Sequence, residues 1–212
     1  MARDDHAMPT TMQARSELST TRLIEAAADL IAEQGYDRTT LMAIAKRAGY
    51  THGLVTARFG SKEGLLWAVV ERMVVDWQEA LLNPSIGAKT GPEAVHAMLS
   101  EVRTSWRKSP KRMRALYTLM FEALLPIPTL NERMAQLHRD LRRSAQKAVQ
   151  DGIADGSVRR DTDAAAVARL VVGGLRGAVY QHMLDPRSVP IDRALGELTA
   201  LVDALLPPGS ES

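Results

Sequence analysis

The chain contains no cysteine, only two phenylalanines, 4% aromatic residues in all, and no long run of uncharged apolar residues. Without cysteine there is no disulfide, no thiolate metal site and no cysteine nucleophile. The five histidines are scattered with no His-x-x-x-His spacing, and no Gly-rich phosphate loop is present. Acid pairs such as Asp151 and Asp155 lie near helix ends, where they cap or solubilise. No catalytic residue, metal or cofactor is therefore expected, and the chain does not read as an enzyme. Its most apolar segment, 163–184, is interrupted by Arg169 and Arg176 and falls short of the about 18 uncharged residues of a membrane span. The opening MARDDHAMPTTMQARSE lacks the apolar centre of a signal peptide. These absences favour a cytoplasmic chain with no membrane partner. Alternating Val, Ile and Thr between turns is missing too, which removes a β-sheet architecture.

What is present is helical spacing from end to end. A first helix is expected to start at 18–20, where Ser19, Thr20 and Thr21 offer N-caps, and Leu23, Ala26, Ala27, Leu30 and Ile31 form its inner stripe up to Gly35. Thr39 or Thr40 opens a short second helix with Leu41, Ile44 and Ala45 inside, and Gly49 breaks it. Thr51 caps a third over 51–58, and Ser61 caps a long fourth. After a loop over 83–91 come helices over 93–108, 111–125, 129–153, 163–184 and 191–206, divided by Pro110, Pro126, Pro128, Gly152 and Gly156. The expected fold class is all-α with about nine helices. It divides into a flexible tail (1–17), a three-helix head (18–64), a body (65–206) and a flexible end (207–212).

Charge singles out the head. The whole chain is nearly balanced, with 27 bases against 25 acids. Between Arg38 and Lys62, however, lie Arg38, Lys46, Arg47, Arg58 and Lys62 with no Asp or Glu. Two short helices joined by a Gly turn within a clean positive stretch are the ingredients of a helix-turn-helix on DNA. Ala45, four residues before Gly49, lets the helices cross closely, and Gly49 can take a positive φ at no steric cost. The same residues have plainer roles: Thr39, Thr40, Thr51 and Ser61 cap helices in any protein, and Arg38, Lys46 and Arg47 suit a solvated face.

A further set of residues stands at a recognisable spacing: Ile24, Ala27, Gly35-Tyr36, Thr39-Thr40, Ile44-Ala45, Ala48-Gly49, Gly53, Phe59, Ser61-Lys62-Glu63 and Leu65-Leu66. Through these residues the run 21–67 resembles the DNA-binding head of the TetR family of transcriptional regulators. The resemblance implies DNA contacts from Thr39, Thr40, Tyr50, Thr51, His52, Gly53, Thr56, Arg58 and Lys62. Thr40 and Lys62 fall to phosphate and 50–53 to base edges, while Arg58 is expected on phosphate or a groove edge. Helix N-termini attract anions, which agrees with the first two. Two positions depart from the family pattern: Thr56 stands where Tyr is usual, and Arg58 where His is frequent. A phenolic phosphate contact is thereby lost, and Arg58 offers a charge that persists at any physiological pH.

In the body, 163–184 is apolar on two sides, through Ala166, Leu170, Gly173, Gly177, Tyr180 and Leu184 on one stripe and Val167, Val171, Gly174 and Ala178 on another. A helix apolar on two sides needs two burial partners. The last two helices are therefore expected to form a four-helix bundle with a second copy, through Leu170, Gly173, Gly177, Tyr180, Leu184, Leu195, Leu198 and Val202. Trp106, Met113, Tyr117, Met120 and Phe121 could line a ligand pocket, with Arg103, His138 and Arg142 as polar candidates, although ordinary core filling is the better account of such a set and a solvated helix face of such polar residues. The family likeness implies a small apolar or amphipathic effector there. The expected function is a sequence-specific regulator, a ligand-responsive repressor that binds a pseudo-palindromic double-stranded DNA operator as a homodimer. A helical small-molecule carrier or protein-interaction module without operator binding is the alternative.

Overall fold

The computed structural model describes residues 11–81, 87–125 and 128–207. Among these residues the chain forms nine α-helices and no strand. Two compact units divide it, residues 1–72 and 73–212, with the break inside the fourth helix. The expected loop over 83–91, the tail 1–17 and the end 207–212 each lie partly outside the described residues.

The first unit contains α1 (Thr11–Gln34), α2 (Leu41–Ala48), α3 (His52–Phe59) and the start of α4 (Lys62–Leu81). Leu23, Ile31, Ile44, Val55 and Leu65 are essentially fully buried, each stabilising the unit by about 1.5–3 kcal/mol. The helix α1 begins at Thr11 rather than at 18–20, which corrects both the expected start and the extent of the tail. The physical reason lies in the residues taken as N-caps. Ser19 and Thr20 donate their hydroxyls backwards to the carbonyl of Ser16, at 2.8 and 2.9 Å, as Ser and Thr do inside a helix.

Capping elsewhere follows the sequence. The hydroxyl of Thr40 accepts from the Ala43 amide at 3.1 Å, and that of Thr51 from the Leu54 amide at 3.3 Å. Gly49 sits at φ 76°, ψ 30°, the left-handed conformation that ends α2. Just beyond it, the Tyr50 amide donates to the Ala45 carbonyl at 2.9 Å. Gly64 has a different reason: a Cβ there would overlap the backbone carbonyl of Phe59. The end of α3 thus lies against the first turn of α4, and only a missing side chain permits it.

The second unit contains the rest of α4 with α5 (Gly91–Lys108), α6 (Pro110–Glu122), α7 (Pro128–Asp155), α8 (Ala164–Leu184) and α9 (Ile191–Leu205). Ser109 ends α5 and starts α6, with Pro110 in the first turn, where its missing N–H is not needed. The helix α8 packs on α7 and α9, and α5 packs on α7 and α9. At the start of α5 the backbones touch directly, since a Cβ on Gly152 would stand 2.5 Å from Gly91 Cα. The sixth helix ends at Glu122, with 123–125 in a turn, short of the expected 125.

Gly64→Ala should lower the stability of the first unit by about 2 kcal/mol or more, because backbone cannot yield as a side chain can. Gly53, also in a helix, has nothing within 4 Å of the place a Cβ would take, and its φ is not positive. Gly53→Ala should be neutral or stabilising by up to about 1 kcal/mol. Thermal unfolding of both variants, followed by circular dichroism, checks the contrast.

Candidate nucleic-acid interface and body cavity

The turn at Gly49 leads directly into the exposed N-terminal end of α3. Thr51, His52, Gly53 and Thr56 are exposed and Tyr50 is half-buried. The Thr56 hydroxyl is turned back onto the His52 carbonyl at 3.1 Å. Thr40 is exposed at the start of α2. These six residues give the first unit a face of short polar groups and helix N-termini, the kind of surface on which phosphates and base edges are held.

Thr39 does not belong to that face, which corrects the expectation for it. It is 2% exposed, and its hydroxyl donates to the Gly35 carbonyl at 2.7 Å. Burial next to the α1–α2 turn consumes the donor that a phosphate would need. Arg58 also differs from expectation. Its Nη1 donates to the Ser16 carbonyl, to Ser16 Oγ at 3.0 Å and to Thr20 Oγ1, tying α3 to the early turns of α1. The structure therefore gives Arg58 a tethering role within the unit and brings it to Ser16 and Thr20, which sequence reasoning missed.

The remaining bases divide similarly. Lys62 Nζ donates to the Asp37 carbonyl at 2.9 Å and lies 4.2 Å from the Tyr36 ring centroid. An ammonium has three donors, so two remain. Arg47 is bidentate to Glu33 at 3.1 and 2.8 Å, and the hydrogen bond with that carboxylate raises its pKa above the ordinary arginine value. The acid-free stretch in sequence is thus not acid-free in space: Glu33, from the preceding helix, neutralises Arg47. Arg38 and Lys46 are exposed.

In the second unit a cavity of about 150 Å³ opens between α4, α5 and α6. Met73, Met113 and Leu116 supply its apolar wall, and Asp76, Ser105, Lys108, Ser109 and Arg112 its polar one. Arg112 and Asp76 form an ion pair across it. Met113 is the member of the expected ligand set on this wall. The others sit elsewhere. Trp106 is buried, with its ring edge-to-face against Tyr117 at 6.4 Å and His182 at 4.9 Å. The Tyr117 hydroxyl accepts from Arg176 at 2.7 Å. Met120 is buried, and Arg103 stands 4.0 Å from Asp192 beside the closer Arg107. No sequence signal marks the cavity, since Asp76, three residues after Met73, shares its helix with Glu71 and Glu79 and does not stand out from them.

The outer face of α8 carries Leu170 (57% exposed), Tyr180 and Leu184 (68% exposed), and neither Gly173 nor Gly177 has an atom within 4 Å of a Cβ position. Phe121 is also exposed and packs edge-to-face on Tyr180 at 5.1 Å. Leu195, Leu198 and Val202 are corrected: all three are buried inside the unit, where α9 packs on α8 and α5. A helix in this position must first cover its own core, so the face of α9 left exposed is the one bearing Leu201.

Residues 23–69 match the family of bacterial regulatory proteins, tetR family. Residues 92–207 match the BetI-type transcriptional repressor, C-terminal. The chain is 27% identical over 192 residues to the HTH-type transcriptional regulator SrpR of Pseudomonas putida, covering 89% of this chain and 87% of that protein. It is 36% identical over 78 residues to the HTH-type transcriptional regulator BetI of Paraburkholderia phymatum, covering 37% of this chain and 40% of that protein. Among solved structures, the SmeT-triclosan complex superposes with a TM-score of 0.75 at 24% identity, covering 91% of this chain and 96% of that one.

His138 yields a pH-dependent outcome. Burial first, and then Arg176, hold its pKa below the ordinary 6.5, with Arg142 adding to them, against a hydrogen bond to the Met134 carbonyl that raises it. The unfolded chain therefore binds a proton before the folded one does as pH falls. The folded state keeps this contribution above the ordinary value and loses it on acidification. Between about pH 7 and about pH 5, stability should fall less in His138→Gln than in the natural chain, as chemical denaturation at the two pH values would report.

Proposed function

We propose, starting from the fact that this chain belongs to the TetR family of bacterial regulatory proteins, that it is a ligand-responsive repressor reading a pseudo-palindromic operator as a homodimer. The observation that carries this reading is the exposed tip of α3, presented by a left-handed Gly49 and two capped helix N-termini. Tyr50, Thr51, His52 and Gly53 enter the major groove and meet base edges, with Thr56 one turn further along. Thr40 and Lys62 hold phosphates on either side. Arg58 keeps the tip in place through Ser16 and Thr20.

The homodimer joins through the outer face of α8, where Leu170, Tyr180 and Leu184 are exposed and Gly173 and Gly177 leave room for a second helix. Two copies then place recognition helices in successive major grooves, roughly 34 Å apart, and exclude polymerase from the site. No helix among the described residues is long and apolar enough to cross a membrane, which suits work in the cytoplasm. An effector bound in the body changes the equilibrium between operator-competent and incompetent states by its difference in affinity for the two. The triclosan held by SmeT and the repressor kinship of the second unit support this part.

Operator selection from a random duplex pool, followed by salt titration, tests the reading. Affinity should fall steeply with salt, and Lys62→Ala should lower the slope by about one while weakening all sequences alike. Thr51→Ala or His52→Ala should instead relax the preference at one or two positions. Binding that ignores salt, or a pool that enriches nothing, would favour the carrier reading. Leu170→Glu should leave a folded monomer in sedimentation, and a dimer persisting there would remove α8 from the interface.

A further inference from the structure

The cavity in the second unit has a charge imbalance. Its wall holds one carboxylate, Asp76, against two cations, Arg112 and Lys108. Arg112 is paired with Asp76, and the exposed Lys108 has no carboxylate partner among the described residues. The helix α5 ends and α6 starts at this wall, and Ser109, the N-cap of α6, makes no side-chain cap hydrogen bond, so its hydroxyl is a further donor for a ligand. Beneath the polar rim lie the buried Met73 and Leu116. An apolar floor below a net positive rim is the complement of an amphipathic anion.

Size narrows the class. A cavity of about 150 Å³ accommodates a group of about benzene's volume. We propose that this cavity binds a small organic acid carrying one ring or an equivalent branched group, with its carboxylate on Arg112, Lys108 and Ser109 and its apolar part on Met73, Met113 and Leu116. This assignment rests on the ligand-responsive reading, since it names the class of effector. A guanidinium presents a fork matched to one carboxylate, so the acid competes with Asp76 for Arg112. Asp76 is partly exposed, with 28% of its side chain open to solvent, and can rehydrate when displaced. The pair that joins α4 to α6 is thereby the element that the ligand opens.

Competition gives the two partners opposite signs. Calorimetric titration of the full chain with benzoate, benzyl alcohol and benzylamine would test the assignment. Benzoate should bind about tenfold or more tightly than its neutral and cationic isosteres, the difference made by a charge-assisted hydrogen bond. Arg112→Gln should abolish that preference. Asp76→Asn, by removing the competing carboxylate, should tighten benzoate binding while leaving benzyl alcohol unchanged. Met113→Trp, which fills the cavity, should weaken all three, and a melting curve on each variant shows that the fold persists. Equal binding of benzoate and benzyl alcohol, no benzoate binding at all, or weakening by Asp76→Asn would overturn the assignment. Operator affinity in the same samples separates the two readings. Benzoate binding with the expected signs but unchanged operator affinity would uphold the cavity and sink the ligand-responsive reading. Operator release by another molecule, without benzoate binding, would overturn the cavity assignment and leave that reading standing.

Discussion

The carbonyl of Phe59 and the bare Cα of Gly64 occupy space that a single methyl group would fill. That contact lets α3 end directly against the first turn of α4, and the positive φ of Gly60 between them makes the turn tight enough. The direction in which α3 presents its tip follows from this closeness at one end and from the left-handed Gly49 at the other. A recognition helix of eight residues has too few side chains to anchor itself by burial, and within it only Val55 is buried. Its aim must therefore come from its ends.

The bases around it serve that aim before they serve any ligand. Arg58 reaches back over about forty residues of chain to three early oxygens of α1, and Lys62 caps the α1–α2 turn while lying over Tyr36. Arg47 is answered by Glu33. Positive charge in this unit is thus largely organised by neutral oxygens, an aromatic face and one carboxylate, which preserves a positive field while fixing where the side chains lie. The Thr56 departure fits this arrangement. Its hydroxyl serves its own helix, and Arg58 holds the helix in place from the next turn.

In the second unit, the same economy appears in α8 and α9. The aliphatic residues of α9 cover the core of their own unit, and the surplus apolar surface falls on α8, where two glycines flatten the helix. The body cavity differs from both surfaces. It joins an ion pair to methionine and leucine walls, a combination that ordinary core packing avoids, because a carboxylate and a guanidinium near apolar atoms lose hydration that only good pairing restores.

Fold class, helix order and most helix ends were legible because they depend on local chemistry: Thr40 and Thr51 cap where a short polar side chain precedes an apolar stripe, and Gly35 and Gly49 end helices where φ must be positive. The start of α1 was misjudged for a local reason too, since Ser and Thr can bond either forwards as caps or backwards inside a helix, and periodicity does not choose between them. The candidate site was legible at the tip of α3, where exposure follows from position in the motif. What the sequence by itself determined is therefore the set of helices, the turn that separates α2 from α3 and the apolar character of the outer face of α8. Only the tertiary structure decided which bases are tethered, that Thr39 is buried, that Leu195, Leu198 and Val202 belong to the core, and that Asp76 meets Arg112. Each of these depends on contacts between residues distant along the chain, and distance in space is a property that spacing in sequence does not carry.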